Sequence, residues 1–180
     1  MDVALTRWIN SPAGNHAVLD AVMIAITQFG VPAIVVCVAL QWWARDGRTH
    51  VRHTAVSAGL SFLLGLAVNQ AILLFIARVR PYDAGVTQLI IAPSADPSFP
   101  SDHATAAMAV VAAFFLQRLP RRALAFLVMA VLVCWSRVYV GTHYVTDVIG
   151  GALTGILAAA AVRVAFREGT RLDRFVTALL

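Results

Sequence analysis

The sequence is poor in charge. Charged residues make up 13% of its 180 positions and apolar residues 60%, whereas soluble domains carry about 25% and 45–50%. That shortage excludes an ordinary soluble domain. Lysine is absent: all fourteen cations are arginine. Cysteine is limited to Cys37 and Cys134, both inside apolar runs, so neither a disulfide nor a cysteine metal site is expected. A cleavable signal is not expected either, because no apolar stretch directly follows the first residues. Internal repeats and low-complexity tracts are missing. The formal net charge of +5 raises the question of nucleic acid. Its arginines, however, sit in short turns between apolar runs rather than on one soluble face, so no nucleic-acid partner is expected.

What is present is a series of apolar runs near the ~20 residues that cross a bilayer core. The expected fold is all-α: one integral-membrane domain over residues 1–180, with five transmembrane helices plus short interfacial helices. The expected spans are residues 18–43, 54–77, 101–116, 123–140 and 145–166. Residues 3–9 place Leu5, Trp8 and Ile9 on one helical face, which suits a short helix on the membrane surface or a frayed terminus. In the tail, Leu172, Phe175, Val176 and Leu179 alternate with Arg167, Arg171 and Arg174, a second surface-helix pattern. Asn69 and Gln70, polar within an apolar span, are expected to bond between helices. Gly151 and Gly155 have the small-residue spacing of close helix packing within the bundle. His50 and His53 receive no role.

Five spans sort the connections onto two sides. One side carries Arg45, Arg48, Arg52, Arg118, Arg121, Arg122, Arg163, Arg167, Arg171 and Arg174; the other only Arg7, Arg78, Arg80 and Arg137. The excess of positive charge assigns the first side to the cytoplasm. The N-terminus and the 78–100 and 141–146 connections then face outward, and the C-terminus is cytoplasmic.

Three polar clusters fall on the outer side: Arg78-Val79-Arg80-Pro81, Ser98-Phe99-Pro100-Ser101-Asp102-His103, and Ser136-Arg137 followed by His143 and Asp147. Charged groups near a bilayer core are costly, which marks them as functional candidates. Arg137 alone could equally be snorkelling to the headgroups. Together the clusters suit phosphoryl transfer, whose transition state spreads negative charge over three oxygens. Arg80 and Arg137 offer planar forks for phosphate. Ser101 can cap a helix whose free first-turn amides would face an anion. His143 and Asp147, four residues apart at a helix start, share a face. The carboxylate would hold one ring nitrogen protonated and leave the other to attack phosphorus. His103 is the candidate general acid. Arg78 joins the phosphate-binding set, as does Asp102, which also suits the helix dipole. A divalent metal held by the histidines with Asp83, Asp102 and Asp147 is the rival reading, and the two arginines oppose it. No cofactor is expected.

These residues resemble the type 2 phosphatidic acid phosphatase family, relatives of the vanadium haloperoxidases. Its third motif, Ser-Arg, five residues, His, three residues, Asp, is matched by Ser136-Arg137, His143 and Asp147. The second, Pro-Ser-Gly-His, appears as Pro100-Ser101-Asp102-His103. The first ends in Arg80-Pro81, but Leu73 stands where the motif has lysine. The Ser-Phe-Pro-Ser-Asp-His form, with Tyr139-Val140-Gly141-Thr142-His143-Tyr144, is similar to the bacterial undecaprenyl-diphosphate phosphatases of that family. The resemblance implies phosphohistidine formation at His143 oriented by Asp147, and leaving-group protonation by His103. It further implies phosphate binding by Arg80, Ser101 and Arg137, and a metal-independent reaction on the outer membrane face that recycles the lipid carrier of cell-wall synthesis. Two alternatives stay open: a phospholipid or lipid-phosphate phosphatase, acting on phosphatidate or phosphatidylglycerophosphate, and a non-catalytic lipid-headgroup binder or transporter.

Overall fold

Apolar runs of this length bury their backbone polar groups as helix, the only local structure that satisfies every one of them within the segment. The computed structural model describes residues 1–178, and these are helical without strands; Leu179 lies outside them. In order the helices are α1 (Asp2–Asn10), α2 (Ala17–Leu40, extended by a 3-10 turn, Gln41–Trp43), α3 (Arg48–Leu73), α4 (Asp102–Leu116), α5 (Pro120–Tyr139), α6 (Val145–Ala165) and α7 (Arg171–Ala178). Pro120 opens α5, where its missing N–H costs nothing.

Four helices, α2, α3, α5 and α6, are long and apolar enough to cross a membrane. The third expected span is shorter. With 15 residues, α4 is about 22 Å long against the ~30 Å of a hydrocarbon core. It is also the most enclosed helix, with residues 104–107 and 109–114 all buried. α4 packs chiefly on α6, then α5 and α3, while α2 leans on α5. α3 begins six residues before its expected start, because the segment after Gly47 continues as helix.

Small residues set the closeness of this packing. A Cβ on Gly155 would collide with the Thr105 carbonyl, and one on Gly151 with the Ser101 carbonyl. Glycine at both positions therefore lets the α6 backbone rest on α4, a close approach typical of helices in lipid. Asn69 bonds between helices as its position suggested, donating to Asp102 Oδ1 at 2.7 Å and Thr105 Oγ1 at 2.8 Å. Leu63, Phe29 and Leu157 stay largely exposed on the bundle's flanks, where lipid would cover them.

The first and last helices are both tied down by polar contacts. At the end of α1, the Asn10 amide donates to the carbonyls of Gln88 (2.9 Å) and Tyr139 (2.7 Å) and accepts the Gln88 N–H (2.8 Å). Ile90 and Ile91 pack over the same helix ends. His50 and His53 do have a structural place. His53 is fully buried, with Nδ1 2.8 Å from Asp173 Oδ1 and its ring stacked on Phe166. His50 meets Glu168 at 2.9 Å. α7 thus docks through its polar side, Asp173 and Thr177, and leaves Leu172 and Phe175 exposed.

Candidate active site

The connection between α3 and α4, the start of α4, the end of α5 and the α5–α6 turn meet around one polar cavity of about 180 Å³. Its wall includes Arg80, Asp102, His103, Arg137 and His143, together with Gln70 and Leu73 from α3. The turn carrying His143 depends on Gly141. Its φ is +88°, and a Cβ there would meet the Gln88 carbonyl, so only glycine fits without strain.

His143 is 3% exposed. Its Nδ1 lies 2.8 Å from the Ser98 carbonyl oxygen. A carbonyl only accepts, so Nδ1 carries the proton and Nε2 keeps its lone pair. This differs from the direct Asp147 partnership expected. The Asp147 carboxylate is 3.7 Å from Nδ1, too far for a hydrogen bond. Its Oδ2 instead accepts the Ser98 hydroxyl (2.5 Å) and the Tyr144 N–H (2.8 Å). The second of these is a side chain three residues inside α6 reaching back to the residue before the helix. Asp147 thus holds Ser98, and Ser98 holds His143. Burial lowers the affinity of the His143 ring for a second proton, and Arg137 and Arg80 push the same way against the pull of Asp147. The ring is held neutral, with Nε2 unprotonated.

The two guanidinium groups are buried without acid partners among the described residues. Arg80 donates to the carbonyls of Asp96 (2.7 Å) and Thr142 (3.1 Å) and to Ser94 Oγ (3.3 Å), all neutral acceptors. Arg137, 8% exposed, has an Nε with no acceptor and a long 3.4 Å contact from Nη1 to Thr27. Buried cations are normally paired; these two leave a concentrated positive potential at the cavity.

Three expected site residues stand apart from the cavity wall. Ser101 precedes α4 but does not cap it: its hydroxyl is buried without a partner, enclosed where Gly151 brings α6 against it. Asp147 is fully buried behind His143. Arg78 turns away from the cavity altogether, its guanidinium committed to Asp147 and Asp2. Leu73 lines the cavity, and Gln70, one turn earlier, brings a neutral amide to the same wall. Gln70 therefore faces the cavity, whereas its neighbour Asn69 bonds to Asp102 and Thr105. Ser98 was within a marked cluster but without a role, because what it offers His143 is a backbone carbonyl, which no residue type announces.

The sequence profile of the PAP2 superfamily matches residues 54–171. The chain belongs to the PAP2 superfamily. Among its relatives, the Bacillus subtilis undecaprenyl-diphosphatase BcrC is 31% identical over 158 residues, spanning 87% of this chain and 80% of that one. Phosphatidylglycerophosphatase B of the same organism is 33% identical over 157 residues, with 77% and 71% covered. The crystal structure of a transmembrane PAP2-type phosphatidylglycerolphosphate phosphatase from Bacillus subtilis superposes with a TM-score of 0.69 at 26% identity, over 94% of this chain and 86% of that one. This PAP2 protein is accordingly a multi-pass membrane lipid phosphatase, a hydrolase of phosphate esters.

Proposed function

We propose that the protein hydrolyses a polyprenyl diphosphate of the undecaprenyl type to its monophosphate, through a phosphohistidine at His143. The observation that carries this reading is the neutral His143 ring, its Nδ1–H fixed by Ser98, lining a cavity shared with two arginines that have no acid partner among the described residues. The similarity to an undecaprenyl-diphosphatase over most of both chains supports the substrate class.

Arg80 and Arg137 hold the terminal phosphate, aided by the amides at the start of α4. The Nε2 lone pair attacks phosphorus and the bond to the bridging oxygen breaks. His103 gives that oxygen its proton, and the lipid monophosphate leaves. Water then attacks the phosphohistidine, His103 takes the water's proton, and inorganic phosphate departs with the free enzyme restored. No metal enters, because the arginines already supply the charge a metal would.

Residues 1–180 form one domain with five spans in this reading. α4 counts as a short fifth span, shielded from lipid by its neighbours. The arginine-rich ends then lie in the cytoplasm of a bacterial cell, and the N-terminus and the cavity open on the outer face. Phosphate release by purified protein tests the reading. Undecaprenyl diphosphate should be turned over faster than phosphatidylglycerophosphate or phosphatidate, activity should survive a chelator, and orthovanadate should inhibit as a mimic of five-coordinate phosphorus. Loss on chelation with recovery on adding a divalent ion contradicts the mechanism; a preference for the glycerolipids contradicts the substrate.

A further inference from the structure

We propose that Arg78 and Asp2 are positioning residues for His143, which makes the N-terminal helix part of the catalytic support. The inference rests on the reading of His143 as nucleophile.

Arg78 sits in a closed ring of hydrogen bonds. Its Nη1 donates to Asp147 Oδ1 at 2.5 Å. Asp147 Oδ2 accepts the Ser98 hydroxyl, and the Ser98 carbonyl accepts His143 Nδ1–H. The Ser98 N–H donates back to the Arg78 carbonyl at 2.8 Å. Arg78 therefore grips Ser98 twice, once through its own backbone and once through Asp147. Because Asp147 is fully buried and His143 is neutral, Arg78 is the cation that stabilises this carboxylate as a charge.

Asp2 fixes the other side of the guanidinium. Its Oδ2 accepts from Arg78 Nη2 at 2.7 Å and from the Thr146 hydroxyl at 2.6 Å, and its Oδ1 accepts the Thr146 N–H at 3.1 Å. Burial disfavours the Asp2 charge, but the bonds from Thr146 and Arg78 outweigh it and hold the carboxyl below its usual range. The Arg78 guanidinium also lies 4.0 Å over the Tyr144 ring. Both its Nη atoms are engaged, by two carboxylates and the Thr146 hydroxyl, and it is not part of the wall that holds His143. Removing it should therefore loosen the aim of Nε2 and leave binding intact, so the loss appears in kcat.

The test measures phosphate release from farnesyl diphosphate by full-length Arg78→Gln, Arg78→Lys, Asp2→Asn and the double variant Asp2→Asn/Arg78→Gln, beside wild type and His143→Ala. Arg78→Gln should lower kcat by roughly 10- to 100-fold, as losing a group that orients a histidine from behind commonly does, with KM within about twofold. Arg78→Lys should recover part of that loss by restoring the charge. Asp2→Asn should lower kcat less, and the double variant should be no worse than Arg78→Gln, since both act along one path. A raised KM at unchanged kcat would make Arg78 a phosphate ligand. Wild-type kcat in Arg78→Gln, no recovery in Arg78→Lys, or additive losses in the double variant would also overturn the relay. An inactive His143→Ala beside a fully active Arg78→Gln sinks the relay alone, whereas turnover in His143→Ala sinks the nucleophile reading itself.

Discussion

Replacing His143 with alanine is expected to lower turnover by about 10⁴-fold or more while the protein still inserts and melts as a folded species. The magnitude follows from losing a covalent nucleophile rather than one of several stabilising contacts. The structure gives reasons to expect little damage elsewhere. Nδ1–H makes a single hydrogen bond, to a backbone carbonyl. Asp147 keeps Arg78, Ser98 and the Tyr144 N–H as partners without the ring. Phosphate release and a thermal melt on the same preparation check the point. Turnover near that of wild type in a folded variant would remove His143 from the mechanism, and a collapse of folding would show that its role is structural.

The second large effect concerns Arg137. Changing it to methionine should reduce kcat by about 10²–10³-fold, the loss seen when one fixed donor to developing negative charge is removed. It should not lower the melting temperature, and a small rise is expected. An arginine that holds a fold together has partners to lose. This one has an Nε without an acceptor, a marginal 3.4 Å contact to Thr27 and no ion pair among the described residues. Burying such a charge costs stability, which a methionine of similar length does not. An equal fall in stability and activity would contradict the assignment and make Arg137 a packing residue.

The candidate site was legible where residue type and local spacing carry the proposed chemistry. His143 and Asp147 at four-residue spacing, with Arg137 six positions earlier, fixed which helix ends must meet. The apolar runs gave the helices, and the structure places Arg80, His103, Arg137 and His143 in one cavity wall. What sequence could not carry were polar contacts made by backbone or by distant chain. Ser98 acts through a carbonyl that every residue possesses. Arg78 and Arg80 are the same residue type two positions apart in an irregular connection, so no periodicity says that one faces the cavity and the other Asp147. Asp2 reaches Thr146 across 144 positions and His53 reaches Asp173 across 120; both pairs exist only once the bundle has closed. The enclosure of α4 was hidden in a different way. Its alanine-rich run reads as an ordinary span, yet small side chains at the centre of a bundle serve packing more than lipid contact.

The most direct measurement is capture of the enzyme-bound phosphoryl group. Wild-type protein mixed with polyprenyl diphosphate, quenched in alkali within milliseconds and digested, should yield one phosphorylated peptide. Mass spectrometry should place the group on His143, with the label lost on mild acid treatment and missing from His143→Ala. A phosphoryl group on another residue, or none under conditions where the lipid monophosphate appears in a pre-steady-state burst ahead of inorganic phosphate, would contradict the account.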